Sequence, residues 1–305
     1  MKYKYVTNVR DDDTLRASFN ELTQKTFCFN FINWYENGFW GDKYIPHVLV
    51  DGEKVISNIS VNLMQFDMCG QVKKYIQLGT VMTDPAYRGQ GLNKYIMENI
   101  LEEYKGKVDG IYLFGNDSVL DYYPKFGFCP INEYEYAFKW NEESQPSSEN
   151  KLPKYLLEKL NLSQKAVEDK LYQDIKEYEV FNLGNNPNEA FALYDNMGLF
   201  QFWLAEEYRE NVYYLSEVGA YVLAKIESGI LWIYQIISKS EINLQRLAVS
   251  FDEKPTEVKL SFTPVSSESY NVKLHKVEDS TLFVIGDSLR KVDTNRMMFP
   301  VISHA

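Results

Sequence analysis

Residues 78–94 read LGTVMTDPAYRGQGLNK, and their order sets the architecture of the first half of the chain. The run over residues 78–83 suits a strand, and it enters Asp84-Pro85. Proline has no amide hydrogen and fixes its own φ, so strand pairing stops there and a loop begins. Arg88-Gly89-Gln90-Gly91 follows. Leu92, Ile96 and Ile100 then recur at four-residue steps, widened by Leu101 and Tyr104, and predict a helix over residues 91–104. A glycine loop that runs straight into a helix start converges several backbone N–H groups on one point, where the helix dipole adds partial positive charge. Glycine is needed there because a side chain would hold an anion away from the backbone. The spacing is neither G-x-x-x-x-G-K-[ST] nor G-x-G-x-x-G, so Walker-type and dinucleotide-type sites are not supported.

Outward from this stretch the pattern is mixed α/β. Helices are expected over residues 13–25, capped by Asp13 or Thr14, and over 30–38. Strands are expected over 46–51 and 54–68, turning at Asp51-Gly52, and over 74–83. A strand at 110–115, a short helix at 119–125 and a strand at 133–140 follow. Residues 141–153, NEESQPSSENKLP, lack apolar periodicity and read as a linker between a first domain at 1–140 and a second at 154–305.

The second half predicts helices at 163–178 and 187–197, and strands within 212–238 that turn at Glu227-Ser228-Gly229. Next come a helix at 241–249, a strand at 256–264 and a hairpin at 272–285 over Glu278-Asp279-Ser280. The order of elements repeats that of the first half, as a diverged copy would. The run Phe200-Gln201-Phe202-Trp203-Leu204 is expected in a core or at the domain interface.

Composition agrees with two soluble globular domains: 305 residues, 45% hydrophobic and 25% charged. With 32 basic and 43 acidic groups the net charge is −11, spread evenly between the halves. That balance argues against nucleic-acid binding, which needs a basic face, and favours cationic partners. Cys28, Cys69 and Cys129 are too few and too far apart for a disulfide framework, and His47, His275 and His304 are too scattered for a zinc site, so no metal is expected. The start, MKYKYVTNVRDDD, has no apolar leader, and the apolar stretch 219–238 is broken by Lys225 and Glu227, so no membrane segment is expected. A cytoplasmic setting fits, and the oligomeric state is left open.

In these surroundings the segment resembles motif A of the GNAT superfamily of acetyl-CoA-dependent N-acyltransferases, [RQ]-x-x-G-x-[GA], with Arg88, Gly91 and Asn93 at its fixed positions. Asn93 replaces the small last residue and is expected to crowd the helix start. A second string, NDSVLDYYPKFGF from Asn116, resembles motif B of that family and places Tyr123 seven residues after Asn116. The resemblance covers residues 5–140 and implies tandem GNAT-like domains of α/β (α+β) class, each a mixed, mostly antiparallel twisted sheet flanked by helices. It implies that the backbone N–H groups of Arg88, Gly89, Gln90, Gly91, Leu92 and Asn93 bind the pyrophosphate of coenzyme A. Val81, Met82 and Thr83 would pair with the pantetheine arm, and Asn116 would hold the same arm. Tyr123 would be the general acid for the departing thiolate. The implied reaction moves an acetyl group from acetyl-CoA directly to a primary amine of a small molecule or peptide, cationic amines being favoured by charge. Cys129 reads as a packed thiol rather than a nucleophile.

The base is not readable: IQLGTVMT, residues 76–83, holds no carboxylate. Asp67, Glu133 and a water relayed by Thr80 or Gln77 are the candidates. A further one is the carboxylate of Ala305, because the enhanced-intracellular-survival acetyltransferases, which carry tandem GNAT-like domains, use their chain terminus this way, and residues 298–305 are apolar enough to dock. The second half has no motif A loop and is expected to have lost coenzyme A binding. Its Gly286-Asp287-Ser288-Leu289 resembles a serine-hydrolase string but reads as a turn after a strand, since no Asp-x-x-His follows. The alternative to catalysis is a coenzyme A-binding sensor or structural module without turnover.

Overall fold

The computed structural model describes residues 2–139, 153–177, 188–194, 196–266 and 268–304. In chain order the first half forms β1 (Lys4–Val6), α1 (Asp13–Phe27), α2 (Ile32–Glu36), β2 (Tyr44–Asp51), β3 (Lys54–Met68), β4 (Gln71–Thr83), α3 (Leu92–Tyr104), β5 (Gly110–Gly115), β6 (Cys129–Ile131) and β7 (Glu133–Lys139). The second half forms β8 (Leu157–Lys159), α4 (Lys165–Glu177), β9 (Glu189–Tyr194), α5 (Met197–Trp203), a π-helical turn (Leu204–Tyr208), β10 (Val212–Leu215), β11 (Ala220–Glu227) and β12 (Ile230–Ile237). It ends with α6 (Leu244–Ser250), β13 (Glu257–Leu260), β14 (Thr263–Pro264), β15 (Asn271–His275), β16 (Thr281–Ile285) and α7 (Asp287–Thr294). No helix among the described residues is long and apolar enough to cross a membrane.

Local chemistry explains most boundaries. The cap of α1 is Asp12, one residue before the expected Asp13, with its carboxylate accepting from the Leu15 amide at 3.0 Å. The β2–β3 hairpin turns through Gly52 at φ 65°, with Asp51 opposite Lys54. The helix expected at 119–125 is instead two 3-10 turns, Asp117–Val119 and Tyr123–Phe126, because Pro124 cannot donate to a continuing helix. The helix expected at 187–197 is, where described, strand β9 followed by the start of α5. β2 runs out opposite Asn62, so Gln65 to Met68 of β3 present a free edge that β9 takes. Pairing outweighs helical propensity there.

The two sheets share one plan. The path β1-β2-β3-β4-β5-β16-β6 is antiparallel except for β4 and β5, and β8-β10-β11-β12-β13-β7-β15 is antiparallel except for β12 and β13. In each, the strand beside the parallel pair comes from the other half: β16 lies between β5 and β6, and β7 between β13 and β15. Residues 272–285 therefore do not close a hairpin; β15 and β16 go to different sheets, and only Val277 and Ser280 bridge. The halves are a structural repeat that exchanges β7 for β16, and the first sheet also takes β9, with β14 beside it, from the second half. The seam at 141–153 lies outside the described residues except Pro153.

A central core joins the two sheets. Phe66 stacks on Phe191 at 4.7 Å, and Tyr112 stacks on Phe299 at 4.3 Å. The last residues are threaded through it, with Phe299 and Ile302 fully buried. The Phe299 amide donates to Glu133 Oε1 at 2.8 Å, Met298 exchanges hydrogen bonds with Thr263, and Tyr112 donates to the Ser303 carbonyl at 3.2 Å. Burial raises the Glu133 carboxyl from 4.5 to about 7, against the opposing pull of the Phe299 amide. A carboxyl raised on folding stabilises the protein below its unfolded value and loses that contribution as pH climbs through the folded one. The stability of the wild type relative to Glu133→Gln should therefore fall by roughly 3 kcal/mol between pH 4.5 and 8 in urea titrations. A pH-independent difference would contradict the buried placement of this carboxyl.

Candidate active site

β4 and β5 pair in parallel only at Tyr75, Ile76 and Gln77, against Gly110, Ile111 and Tyr112. Beyond that point β4 continues to Thr83 without β5 as a partner, and the strands splay. The cause lies in β4. Thr80 adopts φ 48°, and the register between β3 and β4 slips between Asn58 and Ser60. Asn58 Nδ2 donates to the Thr80 carbonyl at 2.7 Å, and the Thr80 hydroxyl shares a 2.9 Å hydrogen bond with Tyr44. These bonds hold the bulge. On the other side β16 pairs with the whole of β5, from Gly115 to Ile111, and keeps it from closing on β4.

The opening is a cleft of about 550 Å³. Val81, Met82 and Thr83 form one wall, with the edge of β4 free to pair with an amide-bearing chain. Arg88, Gly89, Gly91, Leu92 and Asn93 lie at its end, joined by Lys94. Gly89 and Gly91 have φ 77° and 72°, a region L side chains avoid, so the loop is written for glycine. Gly91 is the cap residue of α3, and the first N–H groups of that helix have no partner within it. With the Arg88 and Lys94 side chains beside them, these groups fit a diphosphate. The loop is anchored at its start by Asp84, which accepts from the Ala86 amide at 2.9 Å and pairs with Lys54 at 2.8 Å. Lys54 and that amide hold its carboxyl down to about 2.

The remaining predicted residues fall as follows. Asn93 does not crowd the helix start: its Oδ1 accepts from the hydroxyls of Ser57 and Thr83, tying α3 to β3 and β4. Gln90 does not line the cleft with its side chain, which accepts from Tyr3 at 3.2 Å. Asn116 lines the opposite wall; its Oδ1 accepts from the amide and hydroxyl of Ser118. Tyr123 lines the same wall, 4% exposed, and its hydroxyl makes no hydrogen bond to a described residue. Burial, with a smaller contribution from Tyr122, pushes the phenol up to about 12, so it stays protonated at neutral pH. Its ring sits between Phe128 and Phe283, the latter on β16.

A second cleft of about 490 Å³ meets the first at Thr80 and Phe114, which line both. Its floor holds Tyr44, Asn62 and Gln77 of the first sheet, and its walls include Phe29, Phe31 and Trp34. The other side belongs to the second half: Phe202, Trp203, Glu206, Glu207 and His304. Phe200 and Leu204 are buried in the core, whereas Phe202 and Trp203 of the same run face this cleft. His304 packs on Phe114 with ring centres 4.0 Å apart, and its carbonyl accepts from Trp203 Nε1 at 2.9 Å. Burial and the neighbouring His275 lower its imidazole to about 3, leaving it neutral.

Two of the base candidates are elsewhere. Asp67 sits at the β3–β4 turn, accepting from the Gly70 amide at 2.6 Å, and the Glu133 carboxylate is committed to the Phe299 amide. Neither lines either of these two clefts. Thr80 and Gln77 do. Ala305 lies outside the described residues, although His304 brings the chain to the second cleft. In the second half, the helix start equivalent to the glycine loop is capped by Asn243, whose Oδ1 accepts from the Arg246 amide at 2.9 Å, while its own amide donates to Tyr155. That corner is filled by its own chain. Gly286 opens α7 rather than a serine-hydrolase turn, and the Ser288 hydroxyl donates to the Asp109 carbonyl.

Comparison with known proteins agrees with this geometry. The profile of the acetyltransferase (GNAT) domain matches residues 12–131. That segment is an acetyltransferase (GNAT) domain. No curated protein matches the sequence. Similar solved structures include a conserved protein of unknown function and probable N-acyltransferase from Enterococcus faecalis V583, at 14% identity over 93% of this chain and 72% of that one, with a TM-score of 0.57. A GCN5-related N-acetyltransferase from Kribbella flavida gives 15% identity, coverage of 93% and 70%, and a TM-score of 0.56. Eis1 from Mycobacterium abscessus gives 9%, 92% and 73%, and 0.57. At these identities the likeness is one of fold, and it extends over both halves, as tandem GNAT-like domains require.

Gly115 packs closely under the Tyr123 wall. A Cβ there would lie 3.0 Å from the Tyr123 ring, 3.1 Å from Val119 and 3.2 Å from Phe283. Gly115→Ala should cost about 1–3 kcal/mol of stability in urea denaturation, because the ring has packed neighbours on its other faces. A change below about 0.5 kcal/mol would show that the Tyr123 wall gives way freely.

Proposed function

We propose that the protein transfers the acetyl group of acetyl-CoA directly to a primary amine of a small molecule or peptide. The observation that carries the reading is the meeting of two clefts at Thr80 and Phe114, one bordered by a glycine-capped helix start and the other by aromatic and acidic side chains. In this arrangement the diphosphate of coenzyme A rests on the amides at the start of α3, held by Arg88 and Lys94. The pantetheine arm pairs with Val81, Met82 and Thr83, with Asn116 opposite. The thioester then comes to the junction, beside the Tyr123 hydroxyl.

The amine enters from the second cleft. It must be neutral to attack, and the proton it sheds passes through a water held by Thr80 or Gln77 to the solvent at the mouth of the cleft. Nitrogen attacks the carbonyl carbon to give a tetrahedral oxyanion whose nitrogen is protonated; that nitrogen loses a proton to the same water, the oxyanion collapses and the C–S bond breaks, and solvent later returns a proton to Tyr123. Tyr123 gives its proton to the departing thiolate, whose ordinary pKa is about 8.5. A phenol held near 12 donates reluctantly to bulk base but meets the thiolate inside a dry cleft, where developing charge is poorly solvated.

Tyr123→Phe should lower thiol release from acetyl-CoA in the presence of an accepted amine by roughly 10²-fold, with acetyl-CoA affinity changed less than about threefold. Acetyl-CoA binding without turnover of any amine, and no effect of this substitution on any rate, would assign the cleft to sensing rather than to catalysis.

A further inference from the structure

The second cleft has more chemistry than acyl transfer needs. Phe29 and Phe31 precede α2 and Trp34 lies on it, while Phe202 stands on α5 of the other half. Phe202 lies 6.3, 5.8 and 5.9 Å from those three rings, centre to centre, and 5.9 Å from Trp203. The frame is fixed by Trp34 Nε1, which donates to the Gly198 carbonyl at 2.8 Å. Gly198 has no room for a side chain, since a Cβ would meet the Phe39 carbonyl at 2.7 Å. Phe31 and Trp34 are buried within this cluster, and the ring surface it leaves to the cleft, at Phe29, Phe202 and Trp203, suits a flat apolar body better than a hydrated, hydroxyl-rich one.

The two ends of the cleft differ. At the floor Asn62 is 3% exposed, and its Nδ2 has no hydrogen-bond partner among the described residues. Burying a polar hydrogen without a partner is costly, and an acceptor atom brought by an occupant or its water relieves it. At the rim Glu206 and Glu207 are exposed on the π-helical turn. Neither forms an ion pair among the described residues, so both carboxylates are available to a cation.

We infer that the acceptor is an aryl diamine: a primary amine that reaches the Thr80–Phe114 junction, a flat aromatic body laid against the ring cluster at Phe29, Phe202 and Trp203, and a second cationic group set against Glu206 and Glu207. This rests on the reading of the junction as the site of acyl transfer. It narrows that reading from any primary amine to one with both an aromatic spacer and a distal positive charge.

The test compares four amines by thiol release from acetyl-CoA: 1,4-bis(aminomethyl)benzene, benzylamine without the second charge, 1,6-diaminohexane without the ring, and 4-(aminomethyl)benzoic acid with the distal charge reversed. The first should exceed each of the others by about tenfold in kcat/KM. Glu206→Gln with Glu207→Gln should erase its advantage over benzylamine, and Phe202→Ala should erase its advantage over 1,6-diaminohexane. Equal rates for the ring and chain diamines, or no loss in the double glutamine variant, would overturn the inference. The same amines are titrated against the quenching of Trp34 and Trp203 fluorescence, with Trp203→Phe as the control for signal origin. That readout needs no turnover. If acetyl-CoA binding or transfer fails but the quenching keeps the order given, the acyltransferase reading falls and the cleft assignment stands. If transfer proceeds but quenching favours the aliphatic diamine, the reverse holds.

Discussion

Everything functional in this molecule follows from two parallel strands that stop pairing. Between Gln77 and Thr83 the chain would ordinarily continue its ladder with β5, and each unpaired amide and carbonyl there is an obligation that water or a ligand must meet. The bulge at Thr80 turns this liability into a wall, and the Asn58 and Tyr44 hydrogen bonds keep it from relaxing. In the proposed function the amide-bearing arm of coenzyme A takes this edge, and the helix start at its end receives the diphosphate.

The opposite wall depends on the second half of the chain. β16 pairs along β5 and places Phe283 against Tyr123, while the terminal segment crosses the central core and delivers His304 to the junction. The exchange of β7 and β16 means that neither sheet keeps its full order without the other half. The second copy keeps the plan of the sheet without a glycine loop, and Asn243 caps its helix from within. It lines one side of the second cleft through Phe202, Trp203, Glu206 and Glu207.

The local features were readable because short-range chemistry dictates them. Asp84-Pro85, the two glycines before Leu92 and the four-residue apolar steps of α3 leave little freedom, and the cofactor cleft is built on them. What escaped was set by distant partners. Residues 189–194 are strand because β3 offers a free edge, which no local pattern announces. Residues 272–285 carry a proper turn signal, yet their two strands answer to different sheets. The second cleft was legible only in part: the run 200–204 was expected in a core or at the domain interface, but its meeting with Phe31 depends on α2 and α5 coming together. Tyr123 was placed by its spacing from Asn116, but its dependence on Gly115 and Phe283 appears only in three dimensions.

The account rests most heavily on the placement of the thioester, and a crystal structure with coenzyme A bound tests that placement most directly. The diphosphate should accept from amides between residues 89 and 94, and the coenzyme sulfur should lie within about 3.5 Å of the Tyr123 hydroxyl, allowing for the longer reach of sulfur. A diphosphate bound away from α3, or a sulfur separated from that hydroxyl by more than about twice this distance, would contradict it.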